Sequence, residues 1–206
     1  SIANVAHEIN IPLVVDNTLG CCGYLIQPLI HGADIVLESL TKWAGGHGNS
    51  VGGVVVDSGR FDWSSGKFPH FTKINLSTNT SLWDDWGNGS LKCQEMKIPF
   101  YLNPAFIYRL KSETMRDWGP CLSPFNAYQI LQGIETLALR TERSCDNALI
   151  IAQALNDNKF AKNVRYPGLM NDKYHAQASS YLKNGYGSVI TFEPLGGYSA
   201  ADTITA

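Results

Sequence analysis

Three compact apolar runs lie in the first third of the chain, and each is followed by an acidic residue. They cover residues 11–15, 34–37 and 51–56. Runs of this kind are typical of strands that are buried in a parallel sheet. Residues 2–10 carry apolar groups at helical spacing and predict a short helix. Because the predicted strands alternate with helices or loops, the pattern indicates an α/β layer architecture.

Helical spacing dominates the chain after residue 104. The pattern predicts helices over residues 105–118, 124–132 and 134–156, and the first of them is closed by Gly119 and Pro120. The preceding segment, residues 58–103, is rich in glycine, serine, asparagine and aromatic residues and shows no regular period. It is therefore predicted to be a long surface segment with little regular structure.

Beyond the longest helix the pattern changes to short strands around one helix. Strands are predicted over residues 164–166 and 188–192, with a helix over residues 176–182. We therefore predict two domains. Residues 1–157 form part of a large domain, and residues 158–206 form the beginning of a small C-terminal domain.

Composition excludes several classes of protein. The chain has 206 residues, of which 44% are apolar and 17% are charged, so it is expected to fold around a core. Its net charge of −2 is scattered without a basic run, which argues against a nucleic-acid partner and a membrane surface. The apolar stretches are too short to predict a transmembrane helix.

The cysteines and histidines do not follow a metal-binding pattern. There are five of each, and neither set shows the spacing of ligand pairs. We therefore predict that the chain has no metal site. The odd number of cysteines favours reduced thiols and a cytoplasmic location.

The segment with the most specific chemistry is SLTKWAGGHG, residues 39–48. Lys42 offers an amine that can bind an aldehyde covalently. Ser39 and Thr41 offer hydroxyl groups beside this amine, and such groups suit a phosphate. Together these residues suit a cofactor that carries both an aldehyde and a phosphate.

Asp16 is the candidate for a second cofactor contact. It ends the first predicted strand, as Ser39 follows the second, and functional groups in α/β sheets gather at the carboxyl ends of strands. A carboxylate at this place can keep a cofactor ring nitrogen protonated, so that the ring takes up electrons.

Each of these features also has a structural explanation. A Ser-x-Thr-Lys string arises by chance, and Asp16 can end a strand because Asp-Asn-Thr suits a turn. His47, among the glycines, is expected to form structural hydrogen bonds rather than to act as a base. Local chemistry therefore suggests a cofactor site without establishing it.

The order of several motifs carries a family resemblance. These motifs are PLVVDNT at 12–18, HGADIV at 31–36, SLTKW at 39–43, GGHG at 45–48, GGVVVDSG at 52–59, RDWGP at 116–120, SPF at 123–125, QGIETL at 132–137 and YPGL at 166–169. Over most of its length the chain resembles the Cys/Met-metabolism family of pyridoxal-phosphate enzymes. Within that family, residues 56–69 resemble the O-acetylhomoserine sulfhydrylase branch.

The resemblance implies a fold and an assembly. The expected fold is the α/β fold of fold-type I pyridoxal-phosphate-dependent transferases, here part of the large, mainly parallel sheet domain plus the start of the smaller C-terminal α+β domain. Members of the family form homotetramers, as dimers of dimers, whose active sites are shared between subunits. The resemblance places a cofactor-stacking tyrosine before Ser1 and a substrate-binding arginine after Ala206, so we expect a central piece of an enzyme.

The resemblance also implies residue roles and a reaction. By position, Lys42 is the catalytic residue and binds pyridoxal 5'-phosphate covalently. Asp16 pairs with the ring nitrogen, and Ser39 and Thr41 bind the phosphate. The implied reaction is γ-replacement on O-acetyl-L-homoserine, in which sulfide or a thiol displaces acetate and gives homocysteine or methionine.

Other functions remain open. Residues 74–102 depart from the sulfhydrylase pattern, which leaves room for another nucleophile, as in fungal secondary metabolism. Cystathionine synthesis or cleavage on the same scaffold is a further alternative, although those branches are usually shorter after residue 56. A reading of a different class is a catalytically incomplete remnant that only associates with paralogues.

Overall fold

The computed structural model describes residues 1–76 and 78–205. The chain forms two compact units, each assembled from segments that are distant in sequence. The first unit comprises Ser1–Asp16, Pro28–Ser39 and Val51–Tyr128. The second comprises Asn17–Gln27, Leu40–Ser50 and the chain from Gln129 onward.

The first unit contains a three-stranded sheet in the order β1-β2-β3. The strands are β1, Val14–Asp16; β2, Ile35–Ser39; and β3, Gly53–Asp57. β1 runs parallel to β2, with Asp16 opposite Leu37, whereas β3 runs antiparallel to β2. All three strands lie in or next to the predicted apolar runs. The antiparallel direction of β3 was not expected, because an apolar run indicates a strand but does not determine its direction.

Burial differs between the strands of this sheet. Ile35 and Val36 of the central strand are 3% and 5% exposed, and they belong to the core. Val54, Val55 and Val56 of β3 are each 39% exposed, so this strand is less buried than its apolar run suggests.

Short helices make up much of the rest of the first unit. They are α1, Ile2–Glu8; α2, Pro69–Thr72; α3, Leu82–Trp86; α4, Leu91–Glu95; α5, Ala105–Arg109; and α6, Arg116–Trp118, with a 3-10 turn at Pro28–His31. A π-helical stretch, Leu110–Met115, joins α5 to α6, so a helical segment covers residues 105–118 as predicted. Helices α2 to α4, however, lie in the segment that was expected to be irregular.

Three of these helices, α2, α3 and α5, contribute to a core that contains a group of aromatic rings, which we call the aromatic cluster. Its members are Phe61, Trp63, Phe68, Phe71 and Phe106. Trp63 is 4% exposed and stacks on Phe71, with ring centroids 4.5 Å apart. The cluster explains why this segment shows no helical period in the sequence, since its aromatic side chains pack between short elements rather than along one helix face.

The remaining elements follow from residue 124. They are α7, Pro124–Glu135; α8, Leu137–Asn156; β4, Ala161–Arg165; α9, His175–Tyr181; β5, Thr191–Pro194; and α10, Gly197–Thr205. The predicted helices and strands of this region are present, with shifted bounds, and β4 and β5 pair in antiparallel fashion. Ala148 and Ala152 of α8 pack against Tyr166 and Leu169. The predicted domain boundary at residue 157 follows the end of α8, and the two-domain division stays a prediction.

Candidate active site

Asp16 and Ser39 are the last residues of two adjacent parallel strands, β1 and β2. Since parallel strands end at the same edge of a sheet, both residues lie at the carboxyl edge, as the sequence predicts. Asp16 is exposed and Ser39 is half-buried. This edge of the first unit therefore carries a carboxylate and a hydroxyl group.

Thr41 and Lys42 lie in the second unit, in a π-helical turn that covers Leu40–Ala44. Lys42 interrupts the helical geometry, with φ −86° and ψ −107°. Two backbone hydrogen bonds close the turn: the Gly45 N–H donates to the Leu40 carbonyl (2.9 Å) and the Gly46 N–H to the Lys42 carbonyl (2.8 Å). We call residues 40–46 the lysine turn.

The side chain of Lys42 is accessible. Lys42 is exposed, and within residues 1–76 and 78–205 its ammonium group has no hydrogen-bond or ion-pair partner. It lines a pocket of about 780 Å³, whose other lining residues are Trp43, Gly46, Thr136, Leu139, Arg140, Arg143 and Ser144. Three lining residues are cationic and none is acidic, so the pocket favours an anionic ligand. Its volume is in the range of small-molecule sites.

A small hydrophobic cluster anchors the residue after Lys42. Trp43 packs against Cys21, Leu25 and Cys145, all of which are buried. Burial raises the pKa of the Cys145 thiol, which therefore stays protonated at neutral pH and is a poor nucleophile. These cysteines act here as small apolar groups.

His47 follows the lysine turn and has a structural contact. Its Nδ1 lies 2.6 Å from the Gly45 carbonyl oxygen, to which a protonated Nδ1 donates a hydrogen bond. This geometry agrees with the structural role that the sequence predicts for His47.

The residues at these two places fit pyridoxal phosphate by the chemistry of their side chains. Lys42 offers an exposed amine for an aldehyde, and Ser39 and Thr41 offer hydroxyl groups for phosphate oxygens. Asp16 offers a carboxylate for a protonated ring nitrogen. The cationic lining of the Lys42 pocket, which lies within the second unit, suits the negative charge of a phosphate.

Sequence reasoning assigned no role to Arg140 or Arg143, which share the pocket with Lys42. Arg140 is also hydrogen-bonded to the backbone of the lysine turn. The only sequence signal was its place shortly after the QGIETL motif. Its partners are backbone carbonyl groups. Every residue type has such a group, so no sequence pattern indicates these contacts.

Among the residues that the structure describes, no three or more His, Cys, Asp or Glu side chains are grouped so that they could hold a metal ion. Across the same residues, no helix is both long and apolar enough to cross a membrane.

Comparison with solved structures supports the fold. A putative O-acetylhomoserine (thiol)-lyase from Campylobacter jejuni superimposes with a TM-score of 0.79 at 29% identity, over 94% of this chain and 45% of that one. That structure contains an N'-pyridoxyl-lysine-5'-monophosphate residue. The predicted fold-type I α/β architecture is thus confirmed.

Sequence comparison supports the same relationship. An O-acetyl-L-homoserine sulfhydrylase from Leptospira meyeri is 45% identical over 204 residues, which are 98% of this chain and 44% of the relative. A homocysteine/cysteine synthase from Saccharomyces cerevisiae is 42% identical over 193 residues, 93% of this chain and 40% of the relative. The chain therefore spans less than half the length of these relatives. The model of the family described as Cys/Met metabolism PLP-dependent enzymes matches residues 1–205, and the chain belongs to that family.

Proposed function

We propose that this chain forms the cofactor-binding part of a pyridoxal-phosphate-dependent transferase. The proposed substrate is O-acetyl-L-homoserine, whose acetate is replaced by sulfide or a thiol to give homocysteine or methionine. The observation that carries the proposal is the exposed Lys42 amine in a cationic pocket, three residues after the end of β2 and without a partner among the described residues. The names of the relatives, O-acetyl-L-homoserine sulfhydrylase and homocysteine synthase, support the substrate.

The residues have distinct roles in this proposal. When bound, pyridoxal phosphate supplies an aldehyde that binds amines covalently and a protonated ring that draws electrons from the substrate α-carbon. Lys42 would hold the cofactor through Nζ, and its neutral amine would move protons at Cα and Cβ of the substrate. Asp16 holds the proton at the ring nitrogen. Ser39 and Thr41 donate hydrogen bonds to the phosphate.

The proposal extends to organisation and location. The domains are residues 1–157 and 158–206, the assembly is a homotetramer built as a dimer of dimers, and the enzyme works in the cytoplasm. These statements rest on the family resemblance. The conversion of an amino acid by a small nucleophile requires no nucleic acid and no membrane partner.

The first test asks whether Lys42 binds the cofactor. Purified chain is mixed with pyridoxal phosphate, its visible absorbance is recorded before and after borohydride reduction, and the adduct is located by peptide mapping. We expect a visible band that borohydride removes and a label at Lys42. Lys42→Ala should abolish both, whereas Lys111→Ala, which removes an exposed lysine elsewhere, should leave them unchanged.

The second test concerns the reaction. The full chain is incubated with O-acetyl-L-homoserine and either sulfide, methanethiol or cysteine, and the products are identified by mass spectrometry. Homocysteine or methionine supports the proposal, whereas cystathionine as the main product supports the synthase alternative. A label at Lys42 without any product would support the proposed cofactor site but not the proposed reaction.

A further inference from the structure

Arg140 of α8 makes an unusual set of contacts for a partly exposed arginine. Its Nη2 donates to the carbonyl oxygens of Trp43 (2.9 Å), Ala44 (3.3 Å) and Gly133 (2.7 Å). Its Nε donates to Thr136 Oγ1 (3.1 Å). One guanidinium group thus connects α8, the end of α7 and the lysine turn.

These contacts provide hydrogen-bond donors for carbonyl groups of the lysine turn. The last carbonyl groups of a helical turn have no partner within the turn and need donors from elsewhere. The Trp43 and Ala44 carbonyls are of this kind, and they follow Lys42 directly. A guanidinium is suited to bind them because its donors are held in a fixed plane and its hydrogen bonds carry charge.

Two glycines show how closely the three elements approach. A Cβ atom at Gly133 would collide with the carbonyl oxygens of Ala44 and Gly45. A Cβ atom at Gly46, where φ is +72°, would collide with the guanidinium of Arg140. The turn therefore contacts α7 at Gly133 and Arg140 at Gly46. A side chain at Gly133 would meet backbone atoms, and a side chain at Gly46 would be strained by the positive φ.

Arg143 lines the same pocket but does not share these contacts. Within the described part of the chain its guanidinium has no hydrogen-bond or ion-pair partner. The framework of hydrogen bonds behind the lysine turn thus depends on Arg140 rather than on cationic charge in general.

We propose that Arg140 is a positioning residue that fixes the backbone on the carboxyl side of Lys42 and so sets the direction of the Lys42 side chain. Its effect on cofactor attachment rests on the proposed function. Its effect on the turn does not, because all the contacts are within the protein.

The first part of the test uses cofactor-free protein. Hydrogen exchange is measured by mass spectrometry on the peptide that covers residues 40–50 in the full chain, for Arg140→Met, Arg140→Lys and the unchanged protein. Exchange in this peptide should be faster by about tenfold or more in Arg140→Met, since the charged hydrogen bonds are lost. Arg140→Lys should give an intermediate increase, because an ammonium cannot reach three carbonyl groups in the same geometry.

Two controls make this part decisive. Arg116→Met removes an exposed arginine whose contact is a surface ion pair with Asp117, and it should leave exchange in residues 40–50 unchanged. Exchange in two separate peptides, one that covers β2 and one that covers β3, should be equal in all proteins, which identifies a local effect. If exchange is faster throughout the Arg140→Met protein, the Arg140→Lys protein decides. Faster exchange confined to residues 40–50 of Arg140→Lys supports the proposal, and unchanged exchange in those residues overturns it.

The second part measures the rate at which pyridoxal phosphate attaches to Lys42, by borohydride trapping and peptide mapping. Attachment should be slowed about tenfold or more in Arg140→Met, restored in part in Arg140→Lys and unchanged in Arg116→Met. Faster exchange with normal attachment would overturn the positioning role. If the unchanged protein forms no adduct, the proposed function fails, while the exchange comparison still decides whether Arg140 holds the turn.

Discussion

The lysine turn and the aromatic cluster are stabilised by different interactions. The turn is bound through backbone carbonyl groups, by Arg140 and by the close approach of Gly133. The cluster is built from stacked and edge-on rings, and its centre, Trp63, has four rings at centroid distances of 4.5 to 5.4 Å. The lysine turn is stabilised by hydrogen bonds that require a particular direction. The aromatic cluster is stabilised in proportion to the apolar surface that it buries.

This difference has a consequence for function. Hydrophobic burial has little directional preference, so the aromatic cluster can contribute stability without fixing any one atom. A planar guanidinium bound to two successive carbonyls restricts the backbone to one arrangement. A lysine that must present its amine in one direction is oriented better by such directional hydrogen bonds than by hydrophobic burial. Three substitutions test this comparison.

The largest effect is expected for Trp63→Ala in the aromatic cluster. The substitution removes a buried ring that contacts Phe61, Phe68, Phe71 and Phe106, so the free energy of unfolding should fall by about 4 kcal/mol. Urea denaturation followed by circular dichroism measures this change. Trp118→Ala is the control, because that ring is 86% exposed and should contribute less than about 0.5 kcal/mol. Equal effects of both variants would contradict burial as the source of stability.

A smaller effect is expected for Gly133→Ala behind the lysine turn. The added methyl group collides with the Ala44 and Gly45 carbonyls, and overpacking of this kind costs about 1–3 kcal/mol, which exceeds the gain in helix propensity. The same denaturation assay measures it. Glu135→Ala introduces the same residue at an exposed position of α7 and should change stability by less than about 0.5 kcal/mol. A stabilised Gly133→Ala protein would show that the turn can move away from α7.

The smallest effect is expected for Ser81→Ala, which removes a polar contact beside the aromatic cluster. The Ser81 hydroxyl caps α3 by accepting from the Asp84 N–H (3.0 Å) and donates to Asp84 Oδ2 (2.7 Å), and loss of such a cap costs about 1 kcal/mol. Ser65→Ala, at an exposed serine, serves as the control.

This cap also has a pH dependence. Hydrogen bonds from Ser81 hold the pKa of Asp84 below its ordinary value of 3.8. A lowered carboxyl pKa stabilises the folded state above pH 3.8, and this contribution is lost as the pH falls through the folded-state pKa. The difference in unfolding free energy between Ser81→Ala and the unchanged protein should therefore become smaller in acid. A difference that grows below pH 3.8 would contradict this assignment.

Residues that act through their own chemistry were predictable from the sequence. Asp16 and Ser39 lie at strand ends, as the apolar runs indicated, because strand ends follow directly from local pattern. Lys42 was suggested by its amine beside two hydroxyls, but this string also arises by chance, and the assignment came from the order of motifs along the chain. The cofactor roles of these residues stay predictions.

Features that depend on distant contacts were not predictable. Phe61 and Phe106 belong to the same cluster although 45 positions separate them in the sequence. The short helices between them therefore show no regular spacing of apolar residues. Arg140 binds carbonyl groups 96 and 97 positions away, and every residue type offers such a group. The direction of β3 likewise depends on pairing rather than on its own residues.

Asp16 and Ser39 are offset from each other along the strands, and this offset sets the distance between the two side chains. Because Asp16 pairs with Leu37, Ser39 lies two residues further along β2 and its side chain is on the same face. Two residues of a parallel strand span roughly 7 Å. A ligand that contacts both side chains would have to bridge this offset along the strands. If both residues bind the cofactor as proposed, the two cofactor groups that they contact must be separated by a matching distance.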